Sequence, residues 1–331
     1  MPENSDLLKK LEAVPALSMS VLPTPVQKLD PLSDLLETNL YCKRDDLTGF
    51  AFGGNKVRKL DYLVKDALLQ GADTLVTFGS NQSNWCRMTS VAGAVNGLEV
   101  YLVLEGRKPE KPTANLLLDY MAGAQVLHVE SKNDSEVEEK TLQLVKDLSK
   151  KGKKPYYMAV GGSNGRGSLG YVKAFLEVLD YEEANHLKFD NMVVASGSAG
   201  TQAGLVAGKL LSGWPGQVIG ITVSRDRATQ ANKILKIVQE TLEILQKPME
   251  ESAIREAIIT NDDYLGDGYR INTPGCEQAI DLFVKTEGIF LDEVYTGKAA
   301  AGLIDLCKTK KIASTQKTLF IHTGGNVQLF E

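Results

Sequence analysis

The chain has 331 residues, 43% of them hydrophobic and 24% charged, and its formal net charge at pH 7 is −5. This length exceeds the size at which a single hydrophobic core usually keeps growing, so we expect two domains that share a cleft. The mildly acidic balance, the lack of a long basic block and the lack of any apolar run near ~18 residues argue against nucleic acid and membrane as partners.

Predicted strands and helices alternate through the first half of the chain. Two prolines make residues 21–26 extended, because each excludes its predecessor from the helical region. Apolar runs predict strands at 40–44, 74–78, 99–104, 125–129 and 156–160. Helical periodicity predicts helices at 7–11, 61–70, 85–96, 113–121 and 135–150. This alternation is typical of a parallel sheet that helices cover on both faces.

The second half repeats the alternation after a cluster of glycines at 161–170, which we interpret as a crossing between the domains. Strands are predicted at 191–195, 217–223 and 318–322, and helices at 170–179, 201–211, 228–246, 277–287 and 299–306. Residues 247–275 are predicted to be a turn-rich passage, and 294–298 a loop.

A candidate reactive amine lies at Lys56, which two glycines, Gly53 and Gly54, precede. Glycines permit positive φ and close approach, and the lysine then falls at the start of a helix. The helix terminus and the neighbouring Arg58 favour the uncharged amine, which attacks aldehydes. Lys59 is expected to pair within its own helix. An ordinary turn with a solvated lysine gives the same local pattern.

Three polar loops follow predicted strands, at 79–84, 197–201 and 323–325. Ligands of open parallel sheets bind beyond the carboxyl ends of the strands. The loop at 197–201, Gly-Ser-Ala-Gly-Thr, offers backbone N–H groups and two hydroxyls at a helix N-terminus, which suits a phosphate, although a tight turn would look alike. A ligand with both a phosphate and an aldehyde is pyridoxal 5′-phosphate (PLP).

Seven motifs together resemble the family of D-cysteine desulfhydrases and 1-aminocyclopropane-1-carboxylate (ACC) deaminases, from about residue 18 to the C-terminus. They are Pro23-Thr24-Pro25, Lys43-Arg44-Asp45-Asp46, Gly53 to Leu60, Gln82-Ser83-Asn84, Gly197 to Thr201, Val294 to Ala299 and His322 to Gly325. The resemblance implies the tryptophan-synthase-β-like α/β architecture, PLP fold type II, with the cofactor in a cleft between two parallel-sheet domains. Residues 1–59 and 166–331 would form the large domain, and 60–165 a small domain inserted between them.

The resemblance also implies roles for the cofactor-binding residues. Lys56 would hold PLP covalently and act as the base at the substrate α-carbon, and Asn84 would hydrogen-bond the phenolic oxygen of the cofactor. The loop at 197–201 would enclose the phosphate. The cofactor-binding set is Lys56, Asn55, Asn84, Gly197, Ser198, Ala199, Gly200, Thr201, Thr296 and Thr323.

Substrate contacts follow from the same resemblance. Ser83 and the backbone N–H groups of 81–84 would bind the substrate carboxylate. Tyr295 would stack near the cofactor ring, and Tyr269 would face the substrate and pass protons. The substrate set is Asn81, Gln82, Ser83, Trp85 and Arg270, and the catalytic set is Lys56, Ser83, Tyr269 and Tyr295.

Position 296 bears on the type of reaction. Deaminases of the family have a glutamate there, which keeps the cofactor nitrogen protonated, whereas this chain has Thr296, as desulfhydrases do. A hydroxyl beside that nitrogen supplies no negative charge, so the electron sink is weaker. Elimination of a good β-leaving group tolerates a weaker sink better than cyclopropane ring opening does.

Trp85, Arg270 and the pair Asn326-Val327 depart from the family pattern. An arginine beside the substrate-facing tyrosine suits an anionic β-substituent, and the indole N–H of Trp85 could assist it. We therefore expect L-cysteate as substrate, eliminated to sulfite, pyruvate and ammonia, with D-cysteine as the alternative. The competing interpretation is that Arg270 faces solvent or pairs with Asp267.

The sequence leaves other readings of function open. ACC deamination, a PLP-binding protein without catalysis, and a module that binds some other phosphate are the alternatives to a carbon–sulfur lyase. The four cysteines and three histidines show no metal-ligand spacing, so no metal is expected, and scattered cysteines fit a reducing cytoplasm.

The resemblance also implies a homodimer, because members of the family form homodimers. A helix from Gly170 that carries Tyr171 and Phe175 offers an apolar face for that contact.

Overall fold

The structure is a computed structural model that describes residues 2–131 and 133–331. Short 3₁₀ turns lie at Asp45–Leu47, Phe50–Phe52, Val160–Gly162 and Asn326–Phe330. The α-helices are α1 (Pro2–Glu12), α2 (Asp30–Leu36), α3 (Lys56–Leu69), α4 (Asn84–Val95), α5 (Ala114–Met121), α6 (Asp134–Lys150), α7 (Gly165–Ala184), α8 (Gly200–Ser212), α9 (Arg227–Ile244), α10 (Glu251–Ala257), α11 (Pro274–Glu287) and α12 (Thr296–Lys308).

The strands form two separate sheets. The larger has the order β1-β2-β10-β7-β8-β9 and the smaller the order β5-β4-β3-β6. Every pairing is parallel except that of β1 with β2. The strands are β1 (Val26–Lys28), β2 (Asn39–Arg44), β3 (Thr74–Ser80), β4 (Glu99–Glu105), β5 (Gln125–Val129), β6 (Pro155–Tyr157), β7 (Asn191–Ser196), β8 (Gln217–Thr222), β9 (Ile259–Asn261) and β10 (Lys317–His322). The prediction of an α/β fold with two parallel-sheet domains is therefore confirmed.

Hydrophobic cores lie on both faces of each sheet. Helices α7, α8 and α9 pack on one face of the large sheet, and α2, α11 and α12 on the other. In the small sheet, α3, α4 and α5 cover one face and α6 the other. Strand β7 is buried along its whole length, as a strand between two helical layers must be.

The large sheet takes strands from both ends of the chain, and the small sheet takes strands only from residues 74–157. The domain boundaries at residues 60 and 166 stay predictions. Each of them falls in the first turns of a helix, in α3 and α7 respectively.

The glycine cluster is not wholly a crossing, because its second half is helical. Helix α7 begins at Gly165, five residues before the predicted start. A Cβ at Gly167 would lie 2.2 Å from the carbonyl oxygen of Gly162, and one at Gly170 would lie 2.2 Å from that of Arg58. These glycines therefore let α7 pack closely against α3 and the preceding turn.

Other elements also differ from the predicted ones. The passage 247–275 contains α10 and β9, and α2 was not predicted. Helix α12 begins at Thr296, three residues early, because Asp292 accepts bonds from the backbone N–H groups of Tyr295 and Thr296 there. The short elements α2, α10 and β9 carry too few residues for a hydrophobic period to show.

A buried ionic cluster joins the lysine loop to α7. Arg58 donates to Asp45 at 2.8 Å and to Glu177 at 2.7 Å, and Lys43 donates to Glu177 at 2.6 Å. Burial alone would raise the pKa of Asp45, but the charges of Arg58 and Lys43 outweigh it and lower that pKa to about 2. The cluster fixes the start of α3, where Lys56 lies.

Among the described residues, no helix is both long and apolar enough to cross a membrane.

The helix face predicted for a dimer contact belongs to the core. Its residues Tyr171 and Phe175 are fully buried inside the chain, against α8 and the large sheet. The four cysteines, Cys42, Cys86, Cys276 and Cys307, are buried free thiols.

Candidate active site

A cavity of about 460 Å³ lies where the carboxyl ends of strands from both sheets meet. Loops after β3, β7, β8 and β10 contribute to its lining, together with the start of α3. The structure brings most of the predicted site residues to this cavity. They are Asn55, Lys56, Ser83, Asn84, Trp85, Gly197, Ser198, Ala199, Thr201, Tyr269, Tyr295 and Thr323.

Lys56 is the first residue of α3, and its enclosure lowers the pKa of its amine to about 8. The predicted causes were the helix N-terminus and the charge of Arg58. Two carboxylates pair with that guanidinium, and loss of hydration on burial lowers the pKa instead. With a pKa of about 8, roughly a tenth of the amine is uncharged at pH 7, far more than for an ordinary lysine, and the uncharged form is the one that attacks an aldehyde.

Lys59 does not pair within its helix as predicted. Its Nζ donates to the carbonyl oxygen of Gly161 at 3.0 Å, and burial together with the charge of Lys56 brings its pKa well below the usual range. It is fully buried and is not among the described residues that line the cavity. Lys56 is thus the lysine of this helix that a ligand can reach.

The loop at 197–201 joins β7 to α8 and presents the N-terminus of α8 to the cavity. Ala199 has a φ of 79°, a left-handed conformation that lets the loop turn sharply. Thr201 accepts from Asn55 at 2.9 Å, and Ser198 contacts Ser163 at 2.8 Å. Gly200 is buried, its N–H donates to Ser163 at 3.3 Å, and it is not among the described lining residues, so its contact with the phosphate remains a prediction.

Ser83 caps α4 by accepting from the N–H of Cys86, and it lines the cavity. Its own N–H donates to the carbonyl of Ser80, so that group is not available to a carboxylate as predicted. Asn81 and Gln82 are absent from the described lining. Gln82 instead accepts from the N–H of Asn115 at 2.9 Å and joins the loop to α5.

Two tyrosines meet at one side of the cavity. The hydroxyl groups of Tyr269 and Tyr295 lie 2.5 Å apart, and the ring centroids 6.1 Å apart. Burial and the neighbouring Tyr269 raise the pKa of Tyr295 well above its usual range. Tyr295 therefore remains protonated at neutral pH, and a proton can pass along the hydrogen bond between the two hydroxyl groups.

Thr296 lies behind the cavity rather than in its described lining. Its hydroxyl donates to Asp292 Oδ2 at 2.7 Å, and the N–H of Asp292 donates to it at 2.9 Å. The hydroxyl proton is thus engaged within the protein. Contact between Thr296 and the cofactor nitrogen remains a prediction.

Arg270 and Trp85 do not form the predicted anionic subsite. Arg270 donates to both carboxylate oxygens of the Glu331 side chain, at 2.8 and 2.9 Å, and is outside the described lining. The competing interpretation agrees in part, because Arg270 is exposed, but its partner is Glu331 and not Asp267. The ring of Trp85 reaches the cavity, but its indole N–H donates to Thr77 at 2.7 Å.

Several polar lining residues are absent from the predicted site sets. Ser80 and Ser196 end β3 and β7, and Ser224 and Arg225 come soon after β8, so the rule that ligands bind at strand ends could have found them. Arg225 also donates to the carbonyl of Gly197 at 3.2 Å, which supports the loop at 197–201. The missed polar residues include Ser80, Ser196, Ser224 and Arg225.

The donor set fits PLP. Lys56 supplies an amine of lowered pKa for the aldehyde, the loop at 197–201 supplies hydroxyls and a helix N-terminus for the phosphate, and Asn84 supplies an amide. A Cβ on Gly197 would approach the Tyr295 ring to 3.2 Å, so the glycine keeps space open between loop and ring. No group of three or more His, Cys, Asp or Glu side chains in the described chain could hold a metal ion.

Comparison with known proteins defines the class. Residues 17–324 match the family described as pyridoxal-phosphate dependent enzymes, which covers most of the chain, so the protein belongs to that family and PLP is its cofactor. Solved structures of low identity share the fold. One is the processed form of threonine deaminase isoform 2 from Solanum lycopersicum, with 18% identity, coverage of 98% of this chain and 85% of its own, and a TM-score of 0.66.

Closer relatives narrow the class further. The chain is 41% identical over 333 residues to D-cysteine desulfhydrase of Yersinia enterocolitica and 40% identical over 329 residues to that of Klebsiella pneumoniae, with 98% of each chain covered. A solved structure described as an ACC deaminase homologue has 36% identity, covers 98% of this chain and 96% of its own, and has a TM-score of 0.91. Within the PLP-dependent enzymes the chain therefore belongs to the family of D-cysteine desulfhydrases and ACC deaminases, and it is a lyase.

Proposed function

We propose that this enzyme eliminates the β-thiol of D-cysteine, releasing sulfide, pyruvate and ammonia. The observation that carries the proposal is the placement of one reactive lysine, a phosphate loop and a tyrosine pair around one cavity. Curated relatives of about 40% identity over the whole chain are named D-cysteine desulfhydrase.

In the proposed reaction Lys56 removes the proton from the substrate α-carbon. The bound cofactor supplies an electron sink for the pair left at that carbon. The bond from the β-carbon to sulfur then breaks, and sulfur leaves with its electron pair as a thiolate. The released enamine takes up water and hydrolyses to pyruvate and ammonia.

The remaining residues bind and orient the substrate. Ser83 stands at the N-terminus of α4, where the positive end of the helix suits a carboxylate. Tyr269 is 39% exposed and meets the hydroxyl of Tyr295, so a proton can pass between the two rings to the departing sulfur. The loop at 197–201 would hold the phosphate.

D-cysteine replaces L-cysteate as the preferred substrate because the support for an anionic subsite is lost. Glu331 pairs with the guanidinium of Arg270, and the hydroxyl of Thr77 accepts the hydrogen bond from the indole N–H of Trp85. A sulfonate would therefore lack the hydrogen bonds from Arg270 and Trp85 on which its preference depended. Arg225, which does line the cavity, donates to the carbonyl of Gly197 and the hydroxyl of Ser224.

Replacement of Arg270 by glycine tests this choice. We expect the ratio of kcat/KM for D-cysteine to that for L-cysteate to change less than about threefold, because Arg270 lies outside the lining and its φ of 62° suits glycine. Pyruvate release from both enantiomers of both substrates gives the measurement. A wild type that prefers cysteate, and loses that preference in the Arg270→Gly variant, would contradict the proposal.

We also propose that the enzyme works in the cytoplasm as a homodimer. Four buried free thiols are compatible with a reducing compartment. Phe52 and Met121 are each 73% exposed and line a shallow apolar groove of about 240 Å³, a surface suited to a second copy of the chain. Sedimentation at micromolar concentration tests the dimer, and a 36 kDa species alone would contradict it.

A further inference from the structure

Three neighbouring side chains hold the carboxamide of Asn84. Its oxygen accepts from Arg87 Nη1 at 3.0 Å and from Asn115 Nδ2 at 3.1 Å, and its nitrogen donates to Gln328 Oε1 at 3.2 Å. Both acceptor positions of the oxygen are thus filled, and one N–H is left. Asn84 lines the cavity, where that N–H is available to a ligand.

Arg87 decides which way the amide faces. A guanidinium has only donors, so the amide atom of Asn84 that faces it must be the acceptor, which is the oxygen. Arg87 is 1% exposed, so almost none of its surface reaches solvent. Its Nη1 also donates to Asn115 Oδ1 at 2.8 Å, and its Nη2 donates to the carbonyl of Gly53 at 3.1 Å. The planar guanidinium of Arg87 therefore links Asn84 to the glycine loop that precedes Lys56.

We propose that Arg87 is a positioning residue, which fixes the carboxamide of Asn84 so that its NH₂ group and not its oxygen meets the phenolic oxygen of bound PLP. A donor at that place stabilises the ionised phenolic oxygen, whereas a carbonyl oxygen would repel it. The inference rests on the predicted place of Asn84 beside the phenolic oxygen of the cofactor and not on the choice of substrate.

The test is a pH titration of the absorbance of bound cofactor in the holoenzyme. In Arg87→Met and Arg87→Lys we expect the midpoint to rise by about one pH unit, a tenfold change in the ratio of neutral to ionised cofactor. Arg87→Lys keeps the positive charge but lacks the planar guanidinium with its fixed donors, so it can still be titrated if Arg87→Met fails to fold. In an Asn84→Ala background, replacement of Arg87 should move the midpoint no further, because Arg87 acts through Asn84.

One neighbouring group must be controlled. Asp119, on α5, acts on Arg87 through its charge, and burial raises its pKa to about 7. We expect Asp119→Asn to leave the midpoint within a few tenths of a unit. A midpoint that does not move in the Arg87 variants, or one that moves equally with Asn84 absent, would overturn the inference. The titration needs no substrate, so its outcome is independent of whether D-cysteine is eliminated.

Discussion

Replacement of Lys56 by alanine should abolish both the covalent attachment of PLP and turnover, with kcat reduced at least ~10³-fold. Lys56 is the lysine of α3 that lines the cavity, and enclosure lowers the pKa of its amine to about 8. Borohydride reduction followed by peptide mass analysis measures attachment, and pyruvate release measures turnover.

Lys65 provides the matched control, because it lies on the same helix away from the cavity lining that the structure describes. Lys65→Ala should retain attachment and turnover. Lys59 is the competing site, since it is buried nearby and its pKa is also lowered. A reduced adduct on Lys59 in the wild type, or normal turnover in Lys56→Ala, would contradict the assignment.

Replacement of Arg58 by leucine should lower the free energy of unfolding by about 3–5 kcal/mol. The change removes the partner of two carboxylates, Asp45 and Glu177, and Asp45 is fully buried. An uncompensated charge is then left inside the protein. Urea unfolding of the cofactor-free protein measures the effect as a lower midpoint.

Arg107 serves as the control for this change, since it pairs with Glu130 on the surface and its side chain is 85% exposed. Arg107→Leu should change the free energy of unfolding by less than about 1 kcal/mol. Equal effects from the two variants would show that the buried cluster does not stabilise the start of α3.

The elements of the site that depend on backbone rules were predictable from the sequence. The glycines before Lys56 and the small residues at 197–201 mark places where a chain turns closely around a ligand, and the structure brings both places to one cavity. The alternation of strands and helices likewise predicted parallel sheets. Strands that are buried on both faces must be continuously apolar, and such runs are visible in the sequence.

The direction of individual side chains could not be predicted. Trp85 follows Asn84 directly, yet a helix turns about 100° per residue, and the indole N–H meets Thr77 instead of the ligand space. Arg270 lies next to Tyr269, but its partner, Glu331, is 61 residues away in the chain. Contacts of this kind depend on tertiary packing that no local pattern contains.

The predicted start of α7 was wrong for a related reason. Glycines in sequence suggest a flexible crossing, yet Gly167 and Gly170 lie within a helix where a Cβ would meet neighbouring backbone. Close packing and loose turns select the same residue, and only the fold separates them.

The most direct test of the account is the simultaneous measurement of sulfide and pyruvate formed from D-cysteine by the PLP-loaded enzyme. We predict equal amounts of the two products, formed over many turnovers, because cleavage of the carbon–sulfur bond and release of the keto acid belong to one elimination. Absorbance that changes with D-cysteine while neither product appears would contradict the account and indicate a protein that binds PLP without catalysing elimination.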